Sequence, residues 1–550
     1  MMDSDYEIHT KYARSHNVGR NIVYGFINRV FSLAIPFVIR TIVIYRFGAE
    51  YLGMNSMFAS MLQVLNLADF GFGAAIVYSL YRPLAEDDTE TVNAYLGTFK
   101  RIYHIIGCVI LGFGIFVMPL LPYFIKDSAV PGDLNLYIWY GIFLLDASVS
   151  YLLYGYKTAI PAALQRNDIL SRIDTLVLFG KTLVQVFVLL LTDNFYIYLL
   201  SSLFFTLVRN LLVSWLVNLH YPQYNCEGCI TKEQREALKP KVYGILIAKL
   251  RFVSRNGIDS ICITSFLGLT MTAVYGNYMC IHNAMISLMA VICTSMMASV
   301  GNSIAVESRE KNYADMRRFN FIYMLFAGWA FTCFLCLYQP FMRLWVGERL
   351  LLRYPEIVAL SVYYYVLKMG DIRWVYFEGA GLWWQARYIA LTETVANLFL
   401  NILLVRYFGV LGIIVATLIS LFFIDFIFSA RLLFQQYYCN GKLVEFFSDH
   451  VRYFLVTVLL SIPCIHICDI VSRIITAGVF GTGLETGNIV QNIGAIAGFA
   501  VLELLIRLFI CTVIIVAGYY LLYHRTTQFK EAKVWVMRRY KAIKDNNEHC

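Results

Sequence analysis

The stretch "VYGILIAKLRFVSRNGIDSICITSFLGLT", residues 242–270, has the length and the apolar ends of one membrane-spanning helix, yet Lys249, Arg251, Arg255 and Asp259 run through its middle. A charged side chain at the bilayer centre costs about 3 kcal/mol or more, so these groups must meet protein or a water-filled cavity rather than lipid. On an α-helical ruler Arg251, Arg255 and Asp259 fall within an arc of about 80°, with Lys249 and Asn256 beside them. Leu246, Leu250, Val253, Gly257 and Ile261 take the opposite face. The pattern predicts a helix that is amphipathic inside the membrane.

The rest of the chain supplies the membrane context. Of its 550 residues 59% are hydrophobic and 15% charged, against roughly 25% charged in a soluble domain. Apolar runs long enough to cross a core of ~30 Å recur at 21–45, 54–80, 102–125, 136–158, 173–192, 195–218, 243–266, 270–300, 319–342, 356–379, 388–407, 409–434, 452–475 and 493–523. The expected fold class is an all-α polytopic membrane protein of about fourteen transmembrane helices. The first twenty residues are polar, so the first apolar helix reads as an uncleaved span. Connections of at most about 25 residues leave no room for a soluble catalytic domain, and no enzyme activity is expected. With the N-terminus inside, about 28 Lys and Arg fall in inside segments and about 7 in outside loops, which places both termini in the cytoplasm. The net charge of +9 is therefore sorted by membrane side, and nucleic acid is not an expected partner.

An internal echo suggests two halves. "FGAEYLGMNSMF" (47–58) and "FLGLTMTAVYGNYM" (266–279) each leave a charged span through a glycine-containing turn and enter an aromatic helix. The expected organisation is a tail at 1–20, a six-helix bundle at 21–219, a linker at 220–242, a second bundle at 243–434, an extra helix pair at 435–523 and a basic tail at 524–550. In the first span Gly25, Arg29, Ser32, Pro36 and Arg40 line one stripe, with the two arginines about 16 Å apart along the axis. Asp69, Asp146, Asp174, Lys181, Arg209, Lys368, Asp371, Arg373, Asp425, Glu503 and Arg507 add further charge within spans. Glu503 with Arg507, and Arg255 with Asp259, have the spacing of helical pairs that only hold register. Lys157, Lys249 and Arg373 are the cations expected to snorkel. Spans one and seven carry more cations than acids, and a cationic face wants an anionic ligand, phosphate above all.

Several stretches resemble the polysaccharide and O-antigen flippases, the Wzx-type members of the multidrug/oligosaccharidyl-lipid/polysaccharide (MOP) exporter superfamily. They are "FGAEYLGMNSMFASMLQVLNLADFGFGAAIVYSLY" (47–81), "DSICITSFLGLTMTAVYGNYMCI" with "ASVGNSIAVESREK", "PFMRLWVGERLLL", and "NLFLNILLVRYFGVLGIIVATLIS" (397–420). The similarity runs in order over most of the chain. It implies two six-helix bundles around a central cavity open alternately to each side. It also implies a substrate, an oligosaccharide repeat unit on a polyprenyl pyrophosphate, moved across the cytoplasmic membrane for capsule or lipopolysaccharide assembly. Cavity-lining cations would then receive the pyrophosphate and sugar acids, and face analysis gives that role to Arg29, Arg40, Lys249, Arg251 and Arg255. Asp69, Asp146, Asp174 and Asp259 are the candidates for ion coupling. The expected partners are the lipid-linked substrate, membrane lipid, and the polymerase and glycosyltransferases of the same assembly. No cofactor is expected. The alternative is another exporter of this fold, for lipid-linked peptidoglycan precursor, drugs or ions.

Lesser signals complete the reading. His220, Cys226 and Cys229 in "HYPQYNCEGC" make an incomplete zinc set, so no metal is expected there. The thirteen cysteines read as scattered packing residues in a reduced or apolar setting. The tail "QFKEAKVWVMRRYKAIKD" presents Phe529, Val536, Tyr540 and Ile543 as an apolar stripe, suited to lying on an anionic leaflet. "GTGLETGN" (481–488) lacks the lysine of a phosphate-binding loop.

Overall fold

The computed structural model describes residues 24–25, 28–66, 71–125, 130–438, 442–481, 489–535 and 537, and every regular element among them is helical. Contacts divide the chain into two units, Met1–Gly276 and Asn277–Cys550. Unit 1 holds α1 (Asn28–Arg46), α2 (Ala49–Leu65), α3 (Phe72–Ala85), α4 (Thr89–Val117), α5 (Leu136–Leu152), α6 (Ala159–Ala163), α7 (Asn167–Leu191), α8 (Phe195–His220), α9 (Lys232–Val253) and α10 (Asp259–Leu267). The next helix, α11 (Leu269–Val306), runs across the division. Unit 2 continues with α12 (Arg309–Val346), α13 (Tyr354–Met369), α14 (Asp371–Gly379), α15 (Arg387–Phe408), α16 (Val410–Ile419), α17 (Ile427–Leu433), α18 (Leu443–Gly481) and α19 (Ile489–Tyr523).

Short polar residues set the helix starts. Asp88 accepts from Thr91 N–H at 2.9 Å and opens α4, and the Thr91 hydroxyl together with that N–H holds its carboxyl below the usual aspartate range. Asn135 and Asn194 cap α5 and α8 in the same way, and Ser308 caps α12. Two glycines set the turns of the internal echo. Gly48, between α1 and α2, has φ 115° and ψ 169°; Gly268, between α10 and α11, has φ 92° and ψ 175°. That region is essentially closed to other residues, so both members of the echo use the same forbidden conformation at the same place. The turns also meet: Thr270 Oγ1 donates to Glu50 Oε1 at 3.0 Å. At the adjoining Gly53 a Cβ would lie 2.1 Å from the Leu269 carbonyl oxygen.

Among the described residues ten helices are long and apolar enough to cross a membrane. An eleventh crossing arises if Leu136–Leu152 and Gly155–Ala163, bent by 58°, count together. The other three expected spans are helical but broken or charged: α2 with α3, α9 with α10, and α13 with α14, which part at Gly370. Large apolar side chains stay exposed along the helices, among them Phe116, Leu176 and Leu191 in unit 1 and Leu455, Phe509 and Leu521 in unit 2. Such a continuous apolar exterior belongs in lipid. The chain is an all-α, multi-pass membrane protein of two helical units.

Among the described residues three π-helical segments interrupt the α geometry: Ser254–Ile258, Ser420–Phe426 and Phe434–Tyr438. Each takes up an extra residue, so every side chain after it is displaced around the axis relative to an α ruler. The first lies inside the charged stretch of span seven. The α9–α10 helix packs against α2 and α3 within unit 1. In the tail, the helix at 527–535 docks on unit 2, where Phe529 meets Phe321 and Trp535 meets Phe319. Residues 538–550 and 482–488, with Tyr540, Ile543 and most of the glycine-rich turn, lie outside the described residues, as does Val536.

Candidate substrate site

Span seven is helical on both sides of a π turn at Ser254–Ile258. Val253, Gly257 and Asp259 are all buried, Asp259 at 2% exposure, while Arg255 is half-buried. A Cβ on Gly257 would sit 3.3 Å from the Ser60 carbonyl oxygen, so this face abuts α2. The charged stretch is interrupted by the π turn at Ser254–Ile258, which an unbroken α ruler does not include. Asp259 is buried, as a charge that meets protein rather than lipid must be. The side chains of Lys249 and Arg251 lie outside the described residues.

In α1, Arg29 is exposed and Arg40, three turns on, is half-buried. The Arg40 guanidinium donates to Ser56 Oγ of α2 at 3.3 Å and lies against Gly276, where a Cβ would come within 3.1 Å of it. Asp69 lies outside the described residues. Asp146 has a buried carboxylate oxygen without a hydrogen-bond partner, and Lys181 of α7 stands within electrostatic range of it. Asp174 is instead matched by Arg209 at 2.6 Å, so that pair carries no net charge. Lys157 does not snorkel. It is 8% exposed and donates to Ser214 Oγ at 2.9 Å and Asn218 Oδ1 at 2.7 Å, at the break that follows α5.

Unit 2 treats its buried cations differently. Lys368 meets Asp371 at 2.6 Å, with Tyr323 donating to the same carboxylate. Arg507 meets Glu503 at 2.8 Å. Arg373, expected to snorkel, is 2% exposed. It lies 3.5 Å from the Asp425 carboxylate and donates to the Asp425 and Phe426 carbonyls at 3.0 and 2.9 Å. Those carbonyls end the π segment, whose altered ladder leaves acceptors to be satisfied from outside.

A cavity of about 600 Å³ opens in unit 1 between α3, α4, α9 and the linker. Its walls are apolar (Phe72, Ile102, Ile105, Leu238, Val242), and Arg101, Arg235 and Lys239 bring positive charge to it. An apolar pocket with a basic rim suits an acidic amphiphile. The linker lies on α4: Asn93 accepts from Cys226 N–H at 3.1 Å, Thr98 from Ile230 N–H at 3.1 Å, and Arg101 donates to Cys229 Sγ. His220 bonds its own helix at the Leu216 carbonyl, so the three candidate zinc ligands go separate ways. The signal for this site lay in the basic pair "KR" at 100–101 and in "KEQREALK" at 232–239, which sequence reasoning treated only as topology.

No protein-family model matches the sequence, and no curated protein matches it. Solved structures do. Lipid II flippase MurJ in an inward closed conformation matches with a TM-score of 0.58 at 13% identity, over 91% of this chain and 98% of that one. An inward-facing multidrug resistance MATE family transporter of the MOP superfamily gives 0.57 at 14% identity, over 74% of this chain and 94% of that one. A mutant of the Vibrio cholerae MATE transporter VcmN gives 0.51 at 14% identity, over 77% and 97%. The chain has the fold of the MOP-superfamily transporters.

Proposed function

We propose that this protein is a flippase, not an enzyme, that carries polyprenyl-pyrophosphate-linked oligosaccharide repeat units across the cytoplasmic membrane for surface polysaccharide assembly. The reach of the structural match supports the flippase reading most directly. The lipid II flippase is matched over nearly the whole of both chains, whereas the MATE transporter leaves about a quarter of this chain uncovered. That shortfall is on the scale of the extra helix pair expected at 435–523. In unit 1 Arg29, Arg40 and Arg255, with Lys249 and Arg251, supply the cations for a pyrophosphate, which guanidinium groups bind bidentately. Asp146 and Asp259, with Asp69, are the carboxylates proposed to couple translocation to an ion; Asp174 is already matched by Arg209. Both termini would face the cytoplasm, beside the glycosyltransferases and the polymerase that share the substrate.

The deciding experiment deletes the gene and measures both surface polysaccharide and lipid-linked intermediates. Loss of display with repeat units accumulating on the inner leaflet, restored by wild type but not by Arg40→Ala/Arg255→Ala at equal protein level, is the expected result. Normal display after deletion would overturn the assignment. The full-length likeness to the lipid II flippase also favours a second reading, peptidoglycan precursor as cargo. In that case the accumulating lipid carries the precursor and cell-wall synthesis stops.

A further inference from the structure

Five of the thirteen cysteines, widely spaced along the sequence, converge on one place in unit 2. Cys333 and Cys336 lie on α12, Cys464 and Cys468 on α18, and Cys511 on α19, and these three helices pack together. The spacings of three and four put each pair on one face of its helix. The sulfur atoms of Cys336, Cys468 and Cys511 all lie within 4.8 Å of one another. The Cys511 thiol is within hydrogen-bonding reach of the other four. Cys336, Cys464, Cys468 and Cys511 are at most 3% exposed, and Cys333 is half-buried. Among the described residues this is the sole group of histidine, cysteine and carboxylate side chains compact enough to hold an ion.

Buried cysteines also serve as small apolar packing residues. Packing alone, however, gives no reason for five thiols from three helices to share one focus. Thiolates bound to a d10 ion at ~2.3 Å, tetrahedrally, stand ~3.8 Å apart. The observed sulfurs need only a small inward movement to reach that. The donor set is purely soft sulfur, with no oxygen or imidazole, and such a set selects Cu(I) and Zn(II) over hard cations. Positive charge is close by. Arg507 donates to the Cys336 carbonyl at 2.9 Å and lies within electrostatic range of Cys468. An anionic metal–thiolate group there would be partly compensated.

We propose that Cys336, Cys468 and Cys511, with Cys333 and Cys464 as the adjoining thiols, form a binding site for a soft d10 metal ion, Cu(I) or Zn(II), that clasps α18 and α19 to α12. Each ligating thiol gives up its proton on binding, so uptake releases protons and weakens with acidity. The clasp is independent of the cargo carried by the protein.

The test uses the full chain in detergent with Cys108, Cys226, Cys229, Cys262, Cys280, Cys293, Cys439 and Cys550 all replaced by serine as the background, which removes the eight thiols outside the cluster. Cu(I) under anaerobic conditions and Zn(II) are titrated separately against a chromophoric chelator, and sulfur ligation is read by X-ray absorption. One equivalent of one of these ions, held by sulfur and raising the melting temperature, is expected. Cys468→Ser or Cys511→Ser should weaken it by more than ~100-fold, beyond the loss typical of an outer-shell residue. Size-exclusion and melting without metal establish that each variant is folded, and Cys→Ala versions provide a second set. Binding unchanged by the cluster substitutions, or absent from the folded background protein, overturns the proposal. So does a chain lighter by the mass of two hydrogens under non-reducing conditions and losing its metal capacity, which marks a disulfide instead.

Discussion

The two units bury positive charge by opposite means. In unit 2 each buried cation among the described residues faces a carboxylate: Lys368 with Asp371, Arg373 with Asp425, Arg507 with Glu503. In unit 1 the corresponding cation, Lys157, is held by a hydroxyl and an amide, Ser214 and Asn218. A neutral cradle satisfies the ammonium hydrogens but leaves its charge uncancelled, whereas a carboxylate cancels it at source. Unit 2 therefore cancels its buried charge locally, and at Arg373–Asp425 the pair also fastens α14 to the π segment that follows α16. At Lys157 unit 1 keeps a buried positive charge that no carboxylate at hydrogen-bond distance cancels, a feature in keeping with the anionic cargo proposed above.

The largest break in this contrast should come at Arg373. Arg373→Ala takes the guanidinium from the buried Asp425 carboxylate, which keeps the Ser429 hydroxyl, and from two π-segment carbonyls, and is expected to destabilise the protein by about 3–5 kcal/mol. Thermal unfolding in detergent measures this. Adding Asp425→Asn should recover part of the loss; if it recovers none, the pair is not the fastener described here.

Next in size are the paired glycine turns. Gly48→Ala and Gly268→Ala should each cost about 1–3 kcal/mol through backbone strain. At Gly268 nothing lies within 4 Å of the added methyl, so any loss there is purely conformational. A neutral outcome at 268 in a denaturation series would remove the case for equivalent turns.

Lys157→Met sharpens the comparison from the other side. A cation with only neutral partners gives way to an apolar chain of similar shape for less than about 1 kcal/mol, or with a gain. Polysaccharide display should nonetheless fall if this charge acts on the cargo, and retained display at normal protein level would argue against that. The smallest effect belongs to the half-exposed pair Asp174–Arg209. Asp174→Asn/Arg209→Gln should shift stability by about 1 kcal/mol or less, and unfolding midpoints of the single and double variants would resolve it.

Most of the fold was legible because a spanning helix is a long-range compositional signal. The apolar runs located α1, α4, α7, α8, α11, α12, α15, α16, α18 and α19, and the internal echo located both glycine turns. What stayed hidden was local geometry. Span seven reads as an unbroken α-helix, and the structure has a π segment at Ser254–Ile258. Such a segment depends on what the helix packs against, here α2, and leaves no compositional mark. The snorkelling expectation for Lys157 and Arg373 failed for a related reason. Their partners, Ser214, Asn218 and Asp425, lie 52 or more positions away and become neighbours only on folding. The cysteine cluster was hidden likewise, since Cys336 and Cys511 are 175 positions apart. The pairs Cys333/Cys336 and Cys464/Cys468 were visible as helical spacings, and that was the one available signal.

The turn at Gly268 carries a consequence that concerns handedness rather than size. Its φ of 92° and ψ of 175° are the reflection of an ordinary extended L-residue. Because the space beside it is open, a D-alanine introduced there by semisynthesis should fit with no penalty and even stiffen the turn, where L-alanine is strained. At this position, glycine serves the chain as the one encoded residue that is its own mirror image.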